Sequence, residues 1–456
     1  MLFRSYKWSP KYKARVWDGK IRLVNSMTGQ CYMGLAQRIK KFCDARGYGF
    51  TFDKEFAYKK ITPEHIHKFS KVIGLPEKFT PRDYQIAAVY KGVKSNRRTI
   101  ISPTSSGKTL IMYMLTQWYF KEKALIIVPT IGLVNQCRDD FESFGYKGVV
   151  HCSTDGLSRD NDIPADIVVT TWQSLENSKP RIPKQWYRQF GMVIGDEAHG
   201  AKATSMKKIM ENLEHARFRF GTTGTIPDDP LSQATIEGLF GPFFRAISTK
   251  EMQERGFASD LNIICLVLKH PRDEVKAAKT KGTMKYNEEI DYLISSEKRN
   301  NYIKNLTMKL KGNKLLFFAR KAHGKTLADL LEGEHLYYID GGVKGETRDE
   351  IRKDLESVDG AILLASLGTT ATGVSINKLH HMIAAHPTKS KIRVLQAIGR
   401  ILRLHEEKLD KGATLYDIVD DMSTPSRDNY TLEHFRERVK YYDAEGFNYK
   451  IYVIDL

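Results

Sequence analysis

Ser102-Pro103-Thr104-Ser105-Ser106-Gly107-Lys108-Thr109 follows an apolar run at 99–102 and precedes an apolar helical pattern. A strand that feeds a Gly-Lys-Thr loop and then a helix turns backbone N–H groups and a helix N-terminus toward one point, which is what holding phosphates requires. In that setting Lys108 reaches the outer phosphates and Thr109 a magnesium ion. The usual loop pattern begins with glycine, where this chain has Ser102. The alternative is a Ser/Gly turn that caps a helix beside a surface lysine.

A second stretch decides between them. Met192-Val193-Ile194-Gly195-Asp196-Glu197-Ala198-His199 is an apolar strand that ends in two acids. A strand-end Asp196 suits Mg²⁺, and the adjacent Glu197 can take a proton from an attacking water. An acidic helix cap is the simpler reading of either acid alone. Loop and acidic strand together predict ATP hydrolysis, with ATP and Mg²⁺ as cofactors. Phosphoryl transfer also needs positive charge on the transferring group, and an arginine finger supplies about 10³–10⁵ in rate. Gln396-Ala397-Ile398-Gly399-Arg400-Ile401-Leu402-Arg403 offers candidates. On a helix, Gln396, Arg400 and Arg403 share one face. The alternative there is an ordinary basic face.

Outward from the loop, short apolar runs recur at 99–102, 124–128, 166–170 and 192–195, each followed by a helical pattern. Such alternation implies a parallel sheet covered on both faces. The pattern restarts after about residue 300, with runs at 315–319, 336–339, 361–365, 382–385 and 414–419. The predicted fold class is therefore α/β, with two tandem lobes of parallel sheet and a small basic α+β domain at the N-terminus. The expected divisions are 1–75, a nucleic-acid-binding domain; 76–250, the ATP-binding lobe; and 251–456, a second lobe with a C-terminal extension. Residues 34–46 read as a helix with Leu35, Ile39, Phe42 and Cys43 on one face. Residues 269–285 read as a loop or small insertion, 432–444 as a helix and 449–454 as a strand.

The chain of 456 residues carries a net charge of +18, of which +11 falls in residues 1–75. That asymmetry suggests a polyanionic partner, against the plainer reading of a solvated basic surface. The five cysteines are scattered without a C-x-x-C pair, so neither a zinc site nor a disulfide framework is expected. No stretch approaches the ~18 apolar residues of a membrane helix, and residues 1–7 lack the apolar core of a secretion signal. The expected location is the cytoplasm, with no membrane partner.

The order of these motifs resembles superfamily 2 helicases, which implies two RecA-like lobes over about residues 79–420. Phe79-Thr80-Pro81-Arg82-Asp83-Tyr84-Gln85 is similar to the adenine-sensing Q motif, so the resemblance implies that Gln85 reads adenine with Arg82 nearby. Residues 103–109 resemble motif I, which gives Thr104, Ser105, Ser106, Gly107, Lys108 and Thr109 to ATP. Ser105 stands where many members have glycine. Val128-Pro129-Thr130 and Thr170-Thr171-Trp172-Gln173-Ser174 look like strand-binding motifs, implying nucleic-acid contact at Thr130 and Thr171. For the second of these, a strand end and helix cap is the plain alternative. Thr222-Thr223-Gly224-Thr225 resembles motif III, Leu316-Phe317-Phe318-Ala319 motif IV, and Thr370-Ala371-Thr372-Gly373-Val374-Ser375 motif V, which brings Gly373 to ATP. Residues 396–403 resemble motif VI.

Within that superfamily the sequence is most similar to UvsW-type helicases of tailed bacteriophages. Trp17-Asp18-Gly19-Lys20-Ile21-Arg22-Leu23, Gln37-Arg38-Ile39-Lys40-Lys41-Phe42-Cys43-Asp44 and Lys389-Ser390-Lys391-Ile392 carry the likeness. It implies a T-odd-type phage source and a DNA helicase that remodels branched DNA: junction migration, fork regression, and D-loop or R-loop dissociation. Branched DNA and RNA–DNA hybrids are the implied partners, with contacts at Trp17, Arg38, Lys40 and Lys41. An RNA helicase, and a binding module whose ATP site only times release, are the other readings. Gln396 where DEAD-box RNA helicases commonly have His, and Leu402 where DEAH-box ones commonly have a second Gly, favour DNA.

Overall fold

The computed structural model describes residue 7 and residues 10–456, apart from 16–17, 19, 21, 26, 54–58, 154–163, 179–180, 201–202, 279–283, 368–375, 387, 409–411 and 426. The chain divides into two compact units, Met1–Ile247 and Ser248–Leu456.

The first unit is built on β1 (Arg97–Ile101), β2 (Ala124–Val128), β3 (Val150–Cys152), β4 (Ile167–Thr171), β5 (Met192–Gly195), β6 (Phe218–Thr223) and β7 (Phe243–Arg245). They form one parallel sheet in the order β3-β4-β2-β5-β6-β1-β7. Successive side chains of a strand point to opposite faces, and here both faces are core. Ile126, Val169, Ile194 and Phe220 pack with Ile111, Tyr113 and Phe141 on one side. Leu125, Ile127, Val168 and Val193 pack with Trp172, Trp186 and Phe240 on the other. This is why these strands read as continuous apolar runs. Each large side chain so buried contributes about 1.5–3 kcal/mol.

The second unit holds β8 (Leu261–Lys269), β9 (Lys314–Phe318), β10 (Leu336–Ile339), β11 (Ile362–Ser366), β12 (His381–Ala384), β13 (Ala413–Asp421) and β14 (Tyr449–Asp455). This sheet is also parallel, in the order β10-β11-β9-β12-β13-β8-β14. Each number is the first unit's number plus seven, so one wiring is used twice. The α/β class with two tandem parallel-sheet lobes is as expected.

Several local expectations change. The second pattern starts at β8, not after residue 300. β8 is the sequence LNIICLVLK, an apolar run that lies ahead of the expected restart. β3 and β7 are three residues long, and Arg219 interrupts β6, so none of them gave a strand signal. Part of 269–285 is the helix Arg272–Ala278, whose Val275 packs with Ile290, Leu293 and Met422.

The N-terminal helix is Ala36–Asp44, preceded by a tight turn at Met33–Leu35. Its expected apolar face is only partly covered: Leu35 is buried and Ile39 and Cys43 half-buried, but Phe42 is 52% exposed. The segment docks through its start instead. A Cβ on Gly34 would lie 1.8 Å from the Glu237 carbonyl oxygen, so only glycine permits the approach to the helix Pro230–Phe240. The Tyr32 hydroxyl donates to Glu211 (2.8 Å). Ile66 from the helix Pro63–Val72 is fully buried in the first unit's core, with Ile61, Ile73 and Leu75 packed against that core.

Candidate functional site

The candidate site lies at the C-terminal ends of β1, β5 and β6. Between β1 and the helix Lys108–Trp118 the loop turns at two left-handed residues, Ser105 (φ +68°) and Gly107 (φ +76°). The Ser102 hydroxyl donates to Ser106 Oγ (2.5 Å), whose own proton goes to the Pro103 carbonyl (2.6 Å). From the helix Asp83–Ser95, the Tyr84 hydroxyl (2.8 Å) and Gln85 Nε2 (3.0 Å) both donate to the Ser106 carbonyl. Gln85 Oε1 accepts the Arg82 backbone N–H (2.8 Å), and an Arg82 guanidinium nitrogen donates to Tyr84 (3.1 Å). Gln85 is 4% exposed with both ends of its amide engaged. Here its amide braces the phosphate-type loop. Tyr84, which the sequence did not single out, is its companion; hydroxyl position cannot be read from spacing.

Lys108 Nζ stands 3.5 Å from Glu197 Oε1 and 3.4 Å from the carbonyls of Ser102 and Pro103. Asp196 Oδ1 accepts the Thr222 hydroxyl proton (2.5 Å). His199 Nδ1 lies 2.6 Å from Thr223 Oγ1 and 3.3 Å from Glu197 Oε2. The residues after β5 and at the end of β6 are thus locked to one another and to the loop lysine. Burial, and then the Glu197 charge, push the Asp196 carboxyl above the usual range. Burial works against ionising Glu197 too, but Lys108 and then His199 outweigh it and hold that carboxyl below its ordinary value. Burial lowers the His199 imidazole. The two neighbouring carboxyls are therefore shifted in opposite directions. Thr104 and Thr109 are half-buried at the same loop.

In the second unit, Gln396 and Arg400 lie half-buried on the helix Lys391–Ile401. Arg403 does not share that helix. The last helical residue is Ile401 and Leu402 caps it, so Arg403 sits in the turn beyond. Its carbonyl accepts from Ser259 Oγ (2.9 Å) and from the buried Lys408 ammonium. Lys408 Nζ also donates to the Ile401 carbonyl (3.1 Å), tying off the helix end. The lead-in to the helix is held as well. Arg438 clasps Asp417 with two 2.8 Å bonds and donates a third, 3.1 Å, to the Thr388 carbonyl. The Tyr441 hydroxyl donates to the Lys389 carbonyl (3.2 Å). None of Arg438, Tyr441 and Lys408 was legible as a site residue, because the contacts of Arg438 and Tyr441 reach about 50 residues back along the chain and those of Lys408 are to backbone.

The expected nucleic-acid contacts fare unevenly. Thr171 is 2% exposed and caps the helix Trp172–Asn177, accepting the Ser174 N–H (3.0 Å). Thr130 stands half-buried before the helix Ile131–Ser143. The Arg38 guanidinium pairs with Glu237 (2.6 Å for Nε). Lys40 pairs with Asp44 on its own helix (2.7 Å). Lys41 is exposed. Trp17 and Gly373, with the rest of 370–375, lie outside the described residues. No group of His, Cys, Asp and Glu typical of a bound metal cluster occurs among the described residues, and no described helix is long and apolar enough to cross a membrane.

A phosphate-type loop after β1, an acidic pair after β5, a Thr-Thr-Gly-Thr stretch that ends β6 and a second lobe of identical wiring define the tandem RecA-like architecture of superfamily 2 helicases. Residues 78–228 match the family described as type III restriction enzyme, res subunit, and residues 297–405 the helicase conserved C-terminal domain. Residues 2–53 match the family described as DNA helicase UvsW, N-terminal. The chain is 35% identical over 480 residues to the ATP-dependent DNA helicase uvsW of Enterobacteria phage T4, covering 99% of this chain and 93% of that protein. It is 24% identical to the DNA 3'-5' translocase XPB2 of Sulfurisphaera tokodaii, over 76% of this chain and 82% of that one. Among solved structures, the ATP-dependent type ISP restriction-modification enzyme LlaBIII bound to DNA shares the fold, with a TM-score of 0.59 and 18% identity over 83% of this chain and 31% of that one. The chain belongs to the UvsW family of ATP-dependent DNA helicases. It is an ATP-dependent helicase and binds nucleic acid.

Proposed function

We propose that this helicase remodels branched DNA, driving junctions, forks and D-loops or R-loops with ATP. The observation that carries the motor chemistry is the Lys108–Glu197–His199–Thr223 linkage, with Asp196 held by Thr222 beside it. In this reading Lys108 and the loop N–H groups bind the phosphates of ATP. Glu197, ionised and next to Lys108, takes the proton of the attacking water. The Asp196 carboxylate and the Thr109 hydroxyl are hard oxygen donors that suit Mg²⁺. Glu197 Oε2 is buried and has only the His199 ring beside it, and Lys108 is close to the acidic pair, so the site also fits a divalent ion. When bound, Mg²⁺ would neutralise charge building on the phosphates. Arg400 and Arg403 from the second unit would complete that neutralisation. His199 and Thr223 would pass the state of the nucleotide from the acidic pair to the Thr-Thr-Gly-Thr turn. The preference for branches rests on the family and on the basic N-terminal segment.

The test is strand displacement on a panel of Holliday junctions, forks, D-loops and linear duplexes, with ATP and Mg²⁺. Junctions and forks are expected to be processed well ahead of linear duplex. Lys108→Ala is expected to lose ATP turnover by about 10²-fold or more while keeping its fold. Equal processing of all substrates would reject the branch preference, and normal turnover in Lys108→Ala would reject the nucleotide site.

A further inference from the structure

The apolar face expected on the helix Ala36–Asp44 does not end in the core. Phe42, in the last turn, is more than half exposed, and Tyr48 just beyond the helix is 59% exposed. Their ring centroids lie 6.4 Å apart, with the planes tilted by 48°. The Arg46 guanidinium carbon sits 3.9 Å from the centroid of Phe42. Three groups that bind through flat faces therefore meet at one exposed corner of the first unit.

Part of this arrangement has a local reason. Gly47 is left-handed (φ +68°), and the Tyr48 N–H donates to the Cys43 carbonyl (2.9 Å), closing the helix end. Such an end commonly sets the residue after the glycine against the helix, which brings Tyr48 to Phe42. A contact made for packing would cover the rings, yet both keep more than half of their surface. Gly49 has no local reason either. It is not left-handed, and a Cβ there would meet nothing within 4 Å. With glycine on both sides, Tyr48 has no adjacent side chain to shield its faces. The order Arg-Gly-Tyr-Gly-Phe at 46–50 spaces a cation and two rings by glycine, as base-stacking segments do. Among the described residues Arg46 pairs with no carboxylate. Its guanidinium lies on the ring while its N–H edge stays available to a phosphate.

We infer that Phe42, Arg46 and Tyr48 form a stacking platform for an unpaired nucleotide, of the kind exposed where duplex arms meet. The branch-point role rests on branched DNA being the substrate. Inside a duplex each base face is covered by its neighbours, so free ring faces select a base that has left the stack. Rings alone would also suit a protein partner. An unpaired guanidinium among them, in a segment where residues 1–75 carry a net +11, favours a polyanion instead.

The test compares the full chain carrying F42A and Y48A together with the parent and with Y48F. Affinity is measured across a salt series for an unpaired oligonucleotide, a fork with unpaired nucleotides at its branch, and a blunt linear duplex. The double variant should bind the oligonucleotide and the fork about 5–10-fold more weakly, the low end of what one stacked base contributes. Its log–log salt slope should match the parent's, because the rings neutralise no phosphate. Duplex affinity and the unfolding temperature should stay near parental values, and Y48F should behave as the parent on every DNA. Unchanged oligonucleotide affinity would overturn the inference and leave the rings as a protein-docking surface. Equal weakening on the blunt duplex, or a shallower slope, would overturn it in favour of a general electrostatic tether. A lowered unfolding temperature with DNA binding intact would mark a structural cluster, and a loss in Y48F as large as in the double variant would replace stacking with a hydroxyl hydrogen bond. The oligonucleotide has no branch, so a parent that binds fork and duplex alike rejects the branch reading separately from the platform.

Discussion

At Ser105 the sequence departs from the common loop pattern, and the structure gives that departure a physical size. The residue adopts φ +68°, a conformation that costs an L-residue roughly 1–2 kcal/mol and costs glycine nothing sterically. Glycine would lose more entropy on folding, so the two effects partly cancel. Ser105→Gly is expected to leave ATP turnover within about 2-fold and to stabilise the first lobe by up to about 1 kcal/mol. Thermal unfolding and steady-state turnover of the variant check this; a drop in stability would mean the serine hydroxyl outweighs the strain. Lys108, Asp196 and Glu197 were legible from sequence because strand, loop and helix must follow one another for phosphate chemistry to occur. Gln85 was legible only as a position. Its engagement with the Ser106 carbonyl depends on how closely two helices approach, which no spacing encodes.

At the scale of elements, the helix Lys391–Ile401 is fixed at both ends by residues outside it. Tyr441→Phe removes one hydrogen bond to its lead-in and almost no packing. If the lead-in sets where Arg400 stands, kcat should fall about 3–10-fold, the equivalent of one net hydrogen bond, with KM nearly unchanged. A change confined to KM would place the effect in ground-state binding. At the other end, burial pushes the Lys408 ammonium down to about 8 from an ordinary 10.5. The unfolded chain therefore holds more protons between those values, so this residue makes the folded state more stable as pH rises from about 8 toward 10.5. Unfolding of the parent and of Lys408→Met, compared from pH 7 to 10.5, should show the parent gaining on the variant across that window. Parallel curves would contradict it. The strands that were read correctly are those buried on both faces. β3 and β7 are too short for any periodicity, and the αL turn at Asn96 left no mark beyond one asparagine.

For the molecule as a whole, the repeated wiring shows why one lobe carries the nucleotide chemistry. The ends of β8, β12 and β13 correspond to those of β1, β5 and β6. There the second lobe has a buried cluster instead of a loop: Arg299 donates to Asp420 (2.7 Å) and to the Ala385 carbonyl (2.8 Å), and His270 lies 3.0 Å from the same Asp420 oxygen. The N-terminal segment also has a defined place. Gly34 and Arg38 dock it on the helix Pro230–Phe240, and residues 61–75 belong to the first lobe's core. Removing 1–53, which carries a net +8, should leave basal ATPase within about 2-fold and weaken branched-DNA binding on the order of 10-fold. Removing 1–75 should instead unfold the first lobe, because Ile66 leaves with it. Circular dichroism melts and fork binding of the two truncations distinguish these outcomes; a stable, active 76–456 would show that the docked segment contributes no core. Composition had pointed to the charge of this region. It could not reveal that part of the charge, Arg38 and Lys40, is already paired within the protein.

The wiring also sets a timetable during synthesis. β1 needs β6 and β7 as neighbours, so the first sheet is complete once Arg245 has emerged. β8 waits for β13 and β14, and β14 ends at Asp455. At about 5–20 residues per second the ribosome leaves roughly 10–40 s between the two events. Throughout that interval a finished first lobe is tethered to a growing tail whose opening strand, LNIICLVLK, has no partner on either side. The burden on chaperones in a crowded cell therefore falls on the second lobe.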